Sequence, residues 1–245
     1  MADTINVLIT GSNRGLGKGL LSAYLSRPNH IVIAGVRNSS TVSSKALQDL
    51  PHGKNSKVIV VKINSSSETD ALVAVDTLRS DYKITKLHVV IANAGISNYF
   101  GKAAVTPAEQ MFEHFKINSV APLLLFQATA PLLNTAINPK FVAITSGAGS
   151  ISNMGNLPVE NTAYGASKAA ANFITRKIHF ENSNLIAFPV QPGWLQTDAT
   201  TGVGMSEAPV TVQDGVNGVI DKIDNATREK TSGTFVTWDG EQLGW

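Results

Sequence analysis

Ile5-Asn-Val-Leu-Ile-Thr-Gly-Ser-Asn-Arg-Gly-Leu-Gly17 is the stretch on which the reading of this chain turns. Its first six residues are a short apolar run of the kind that fills a parallel strand buried on both faces. The run stops at Gly11, and a helical pattern then leads on through Arg27. Between strand and helix, Gly11, Gly15 and Gly17 follow the pattern G-x-x-x-G-x-G. Glycine permits a tight turn there and lets a phosphate approach backbone N–H groups at a helix N-terminus. Strand, glycine loop and helix in that order form a dinucleotide-binding pattern, although an ordinary turn would also accept these glycines.

The alternation continues along the chain. Ile31–Val36, Lys57–Ile63, Leu87–Ala92, Phe141–Thr145, Leu185–Val190 and a stretch within Gly233–Gly240 read as further strands. Helices are predicted over Ser67–Ser80 with Ser67 as cap, from Pro107 to about Leu133, from Thr162 onward, and over Val212–Asp224. The fold class is therefore α/β, with residues 1–245 as a single domain of Rossmann type. Its core would be a doubly wound parallel sheet of about seven strands with helices on both faces.

Composition narrows the function. The 245 residues carry a formal net charge of +2, and the basic residues do not cluster, so no nucleic-acid surface is expected. There are no cysteines, which excludes disulfides and thiolate chemistry, and the five histidines stand singly without metal-ligand spacing. The first residues lack a basic region followed by an apolar core, and the most apolar window, Val120–Leu133, is too short to span a bilayer. A soluble cytoplasmic protein without membrane contact is expected.

The end of the second strand speaks to the cofactor. An Asp or Glu placed there would hold the ribose 2′-hydroxyl of NAD, but this chain has Val36 followed by Arg37. A guanidinium pairs with a 2′-phosphate through two parallel hydrogen bonds, and Arg14 in the glycine loop reaches toward the same place. These residues favour NADP(H) over NAD, against the alternative of two plain surface arginines.

Further along, Asn64 ends the third strand where an adenine ring would lie, and Asn93-Ala94-Gly95 follows the fourth. Asn93 is suited to satisfying strand-end backbone groups, and Gly95 to a close passage of backbone and cofactor. Asn118 is a poor residue for a buried mid-helix site, and Pro122 cannot donate to its carbonyl. A kink leaving that carbonyl aimed at the site fits both, as does a merely structural kink. Ser146 follows the fifth strand beside glycines and is placed to contact a substrate. Tyr164 and Lys168, four apart on one helix, share a face, so the ammonium is expected to lower the phenol's pKa. The segment from Asp198 to Val212 lacks periodicity and reads as a lid or an inert loop.

With the glycine loop, Asn93-Ala94-Gly95, Asn118, Ser146, Tyr164-x-x-x-Lys168 and Pro192-Gly193 in order, the chain resembles the short-chain dehydrogenase/reductase family over essentially its whole length. Val36-Arg-Asn and Pro192-Gly-Trp-x-x-Thr197-Asp resemble the sniffer-like carbonyl reductases and, among them, the fungal norsolorinic acid ketoreductase-like members. The resemblance implies a ketone reductase in which Tyr164 protonates a carbonyl oxygen, Lys168 holds the nicotinamide ribose and lowers the Tyr164 pKa, Ser146 orients the carbonyl, and Asn118 holds a water. It further implies cofactor contacts from Gly11, Ser12, Asn13, Arg14, Gly15, Leu16, Gly17, Arg37, Asn64, Asn93, Ala94, Gly95, Pro192, Gly193, Leu195 and Thr197. The partners implied are a small-molecule carbonyl substrate and a second copy of the chain, in a dimer or tetramer. Asn64 replaces the family's usual Asp, which puts the adenine contact in doubt, although an amide oxygen still accepts. Two alternatives stay open: a non-catalytic NADP(H) sensor, and an NAD-dependent alcohol dehydrogenase. Phe100, Met154, Leu157, Trp194 and Met205 point to a bulky apolar or aromatic ketone, or to plain packing.

Overall fold

The computed structural model describes residues 4–156, 159–196 and 208–245. Within them, one eight-stranded sheet runs in the order β3-β2-β1-β4-β5-β6-β7-β8. The strands are β1 (Ile5–Thr10), β2 (His30–Val36), β3 (Lys57–Lys62), β4 (Val89–Ala92), β5 (Lys140–Ile144), β6 (Ile186–Gln191), β7 (Phe235–Thr237) and β8 (Gln242–Leu243). All pairings from β3 through β7 are parallel, and β8 lies antiparallel on β7. This is the doubly wound α/β arrangement, with one strand more than the about seven the sequence pattern implies. The two residues of β8 are too few to display alternation, so no periodicity marks it.

Each inner strand is apolar throughout because both of its faces are covered. In β1, Val7 and Ile9 face one core while Leu8 faces the other. The first core is closed by α1 (Gly15–Leu25) and the helix Val212–Asp224 (α7), through Leu20, Leu21, Val216, Val219 and Ile223. The second is closed by α3 (Asp70–Ser80), α5 (Ala121–Leu133) and α6 (Thr162–Glu181), through Leu78, Leu125, Leu132 and Ile178. Two further helices complete the order of elements used below: the short α2 (Val42–Lys45) and α4 (Ala108–Phe115).

The strand order reverses between β1 and β4, which lie side by side with Val7 opposite Val89 and Ile9 opposite Ile91. Connections leave a neighbouring pair of strands in opposite directions at such a point, and a crevice opens beyond their carboxyl ends. The glycine loop follows β1 and Asn93-Ala94-Gly95 follows β4, so the two motifs meet at this crevice.

Two local expectations are corrected. Ser67 does not begin a helix; α3 starts at Asp70, and the Ser67 hydroxyl accepts from Asp70 N at 3.2 Å from the turn before it. The Asp70 carboxylate in turn accepts from Asn64 N at 3.0 Å and from Ser67 Oγ at 2.8 Å, so it closes the β3–α3 loop. The helix opened by Pro107 is not continuous either. Lys116–Val120 is a π-helical turn between α4 and α5, in which Ala121 N reaches back to Lys116 O. Pro122, in the first turn of α5, has no N–H to offer the Asn118 carbonyl, and the widened turn accommodates that loss.

Candidate active site

At the β1 end the site is made by backbone at close quarters. Gly11 has φ +66 and Gly15 φ +50, both left-handed values that favour glycine. A Cβ on Gly17 would stand 2.2 Å from Gly11 O, so α1 enters the loop with no room for a side chain. Arg14, the residue before α1, gives its first turn no side-chain hydrogen bond. Among the described residues no side chain caps the N–H groups there, as an anion cradle requires. Asn93 spans the two strand ends: its Nδ2 donates to Thr10 O at 2.8 Å, and the N–H groups of Asn93 and Ala94 both donate to Thr10 Oγ1 at 3.1 Å. Its expected part in satisfying strand-end groups is thus met in detail.

Ser12 is buried and donates its hydroxyl to Ile9 O, which holds the loop's bend, while Leu16 packs into the first core. Gly11 N donates to Gly35 O at 2.8 Å, which draws the end of β2 against the loop. Arg37, just past that end, and Arg14 are both exposed, and among the described residues neither is paired with a carboxylate. Asn13 Nδ2 donates to Ser43 Oγ at 3.1 Å, tying the glycine loop to α2 across this basic corner. Nothing in the spacing of the sequence signalled Ser43, because the tie is between residues 30 apart. The free cations and uncapped loop fit a phosphorylated dinucleotide.

Asn64 lies beside a narrow cleft lined also by Ser65, Ala92, Ala94 and Leu125. Its Oδ1 accepts from Ser66 N at 3.1 Å, so one acceptor site of the amide is spent on its own turn and one remains.

At the β5 end, buried side chains take over. Lys168 is only 5% exposed and donates to Ile144 O at 3.0 Å. Its ammonium lies 5.7 Å from the centroid of the Tyr164 ring, one turn earlier on α6. Burial disfavours the charged form and lowers the Lys168 pKa to about 8. Tyr164 is half-buried, and desolvation is the largest influence on its phenol and pushes the pKa above its ordinary value. A hydrogen bond with Ser146 works against that rise. The net direction is opposite to the lowering expected from the Tyr164–Lys168 spacing. The ammonium shares the same dry pocket and is itself pushed toward neutrality.

Asn118 is brought to this group as well. Its Oδ1 accepts from Ile96 N at 2.8 Å, and its Nδ2 donates to Ile96 O at 2.9 Å and Ser167 Oγ at 3.0 Å. The amide is fully engaged, so any water held by Asn118 falls to its main-chain carbonyl. A Cβ on Gly95 would lie 3.0 Å from Asn118 Oδ1 and 3.4 Å from Lys168 Nζ, which fixes all three around one point. Ser167 was missed by sequence reading; it donates to Tyr164 O at 2.7 Å, and its only mark in the sequence is its place beside Lys168.

After β6, Gly193 has φ +92 and Leu195 bridges Val210 in parallel register. Pro192 and Leu195 are buried against α7, whose Gly215 has room for no side chain between Pro192 O and the Leu195 methyls. Thr197, Leu157, Met205 and most of the expected lid segment lie outside the described residues.

A strand-order switch, a glycine cradle and a Ser–Tyr–Lys group on adjoining elements agree with what similarity finds. Residues 5–208 match the family model described as short chain dehydrogenase. The chain belongs to the short chain dehydrogenase family. This short chain dehydrogenase is 45% identical over 245 residues to the norsolorinic acid ketoreductase of Aspergillus parasiticus, with 97% of this chain and 90% of that protein covered. It is 44% identical over 246 residues to the norsolorinic acid ketoreductase of Emericella nidulans, covering 97% and 92%. Among solved structures, the NADPH-bound carbonyl reductase from chicken fatty liver superposes with a TM-score of 0.89 at 28% identity, over 100% of both chains. The carbonyl reductase Sniffer of D. melanogaster superposes with a TM-score of 0.84 at 27% identity, over 99% of this chain and 100% of that one. The protein is an oxidoreductase of this family, and among its described residues no helix is long and apolar enough to cross a membrane.

Proposed function

We propose that residues 1–245 work as one domain, a cytoplasmic NADPH-dependent ketone reductase. The observation that carries this reading is the meeting of Ser146, Tyr164 and Lys168 at one end of a crevice whose other end offers unpaired Arg14 and Arg37 beside an uncapped glycine loop. NADPH would be held by the loop from Gly11 to Gly17, by Arg37 at its 2′-phosphate, by Asn64 near the adenine, by Asn93-Ala94-Gly95, and by Pro192, Gly193, Leu195 and Thr197. When bound, it supplies the hydride that reaches the carbonyl carbon.

The chain's own residues do the rest. Tyr164 Oη donates its proton to the carbonyl oxygen; its raised pKa keeps the phenol protonated and able to donate at neutral pH. Ser146 Oγ orients the same oxygen. Lys168, held against Ile144 O, stands near the Tyr164 ring and holds the ribose hydroxyls. The Asn118 carbonyl in the π turn holds the water through which Lys168 reaches solvent.

The substrate favoured is a bulky, flat apolar ketone. Trp194, Met154 and Ile151 are exposed apolar side chains on loops at the carboxyl ends of β5 and β6. Two relatives bear the name norsolorinic acid ketoreductase. Association into a dimer or tetramer is supported by Phe112 on α4 and Phe173 and Phe180 on α6, which are all exposed.

The test is oxidation of NADPH and of NADH in the presence of aliphatic and polycyclic aromatic ketones, with Tyr164→Phe as control. Turnover with NADPH on the aromatic class, lost in the variant, supports the reading. Tight NADPH binding with no turnover on any ketone would replace it with a sensor.

A further inference from the structure

The short strand β8 leads into Gly244 and Trp245, and these two residues touch both the loop that follows Ser146 and the α6 helix that carries Tyr164 and Lys168. Ser150 Oγ donates to Gly244 O at 2.6 Å, and Ser152 N donates to Trp245 O at 2.8 Å. A Cβ on Gly244 would stand 2.3 Å from Ser152 Oγ, so the approach tolerates no side chain without a shift of Ser152. Ser150 is 1% exposed and also accepts from Asn153 N at 3.2 Å. It begins four residues after Ser146, across a 3₁₀ turn in which Gly149 N donates to Ser146 O and Ser150 N to Gly147 O, each at 2.9 Å. Ser150 is therefore joined to Ser146 by the hydrogen bonds of a single turn.

The Trp245 ring faces β7 and α6. It stacks on Phe235 of β7 with centroids 5.9 Å apart, and the Arg176 guanidinium lies 4.6 Å from its centroid. Arg176 is on α6, eight residues after Lys168 and hence about 12 Å along the helix axis. On the near side of that helix, Gly149 packs so closely that a Cβ would meet Lys168 C at 2.6 Å, and Asn172 Nδ2 donates to Gly149 O at 3.3 Å. The serine loop is thus clamped between α6 and the Gly244–Trp245 segment, and that segment is itself anchored on α6.

We propose that Trp245, acting through Gly244, Ser150 and Ser152, is a positioning residue that sets the Ser146 loop against the Tyr164–Lys168 helix. The proposal rests on the ketone-reductase reading of the same site. The measurement is steady-state turnover of the ketone found active above, together with direct NADPH binding, for the wild type, Trp245→Ala, Trp245→Phe, Ser150→Ala and the Trp245→Ala/Ser150→Ala double variant.

Misplacing the orienting hydroxyl is expected to lower kcat by roughly tenfold to a hundredfold in Trp245→Ala, with the NADPH dissociation constant unchanged. Trp245→Phe keeps the stack on Phe235 and restores most of kcat. Ser150→Ala lowers kcat by itself, and the double variant is no worse than the poorer single one, because both act through one contact. If Trp245→Ala is too unstable to purify, Ser150→Ala alone decides. Unchanged kcat in the folded variants, even with a lower melting temperature, would overturn the proposal by reducing the segment to a stabilising strap. A wild type inactive on every ketone would instead remove the functional reading on which it rests.

Discussion

At the β1–α1 end of the crevice the decisive contacts are made by backbone, and at the β5–α6 end by buried side chains. Gly17 and Gly11 meet through atoms every residue possesses, and what matters is the missing Cβ. Ser146, Tyr164 and Lys168 matter for the groups they carry, held where water is scarce. In the proposed reading the first region binds by shape and by N–H groups, with charge added at an exposed corner. The second tunes acidity by desolvation, which costs stability. A substitution in one region should therefore disturb affinity, and in the other turnover or pH dependence.

The sharpest break of that contrast is Tyr164→Phe. Loss of the proton donor should reduce kcat by about 10²- to 10⁴-fold while NADPH binding, measured by fluorescence titration, stays within a factor of two. An unaltered rate would remove Tyr164 from the mechanism.

Gly17→Ala is the counterpart at the other end. The new methyl collides with the Gly11 carbonyl, which is backbone and cannot swing aside, so the loop must deform. NADPH affinity should fall by roughly a hundredfold and stability by about 1–3 kcal/mol. Normal affinity would show that the loop does not cradle the phosphates. Arg37→Ala should act more narrowly. Removing a charge-assisted pair raises the KM for NADPH by about ten- to a hundredfold and leaves that for NADH unchanged. An equal effect on both cofactors would deny Arg37 the 2′-phosphate.

Ser146→Ala separates orientation from acidity. The Ser146 hydrogen bond opposes the upward push of burial on Tyr164, so its removal lets the phenol's pKa rise further. Activity that depends on a protonated Tyr164 then persists to higher pH, and the basic limb of kcat/KM moves upward even as kcat falls. A limb that stays in place would mean that another group titrates there.

Lys168→Met is read in stability rather than turnover, where its expected effect is small and opposite in sign to that of Gly17→Ala. The Lys168 pKa lies at about 8 in the folded chain, below the ordinary 10.5 of a lysine. Below pH 8 both folded and unfolded chains hold the proton, and the full cost of burying the charge is present. Between pH 8 and 10.5 the unfolded chain binds more protons, so stability rises with pH. The shift corresponds to a cost of order 3 kcal/mol near neutrality. Lys168→Met should raise the melting temperature at pH 7 by a few degrees, less whatever is lost by leaving Ile144 O without its donor. It should also abolish the rise in stability above pH 8. A variant that melts lower at pH 7 and keeps that rise would contradict the assignment.

Much of this was legible in the chain because the signals are local. The run from Ile5 to Gly17 carries strand, loop and helix start in one window, and α7 begins and ends where its periodicity does. Tyr164 and Lys168 share a face because they are four residues apart on one helix. The start of α3 was misread because Ser67, Thr69 and Asp70 are all competent first-turn residues, and hydrogen bonds to Asn64 and Ser67 decide among them. The kink at Pro122 was foreseeable, but its resolution as a π turn depended on Asn118 finding Ile96 and Ser167.

What the sequence determined by itself is the alternation of strands and helices, the glycine loop, the candidate reactive side chains and the absence of an acid after β2. Each of these follows from residue type and short spacing. The tertiary structure alone decided the direction in which Tyr164 and Lys168 are shifted, the Asn13–Ser43 tie, and the seat of Trp245 between Phe235 and Arg176. Desolvation and contacts between distant segments arise only when the chain closes on itself, because no local window contains the atoms that cause them.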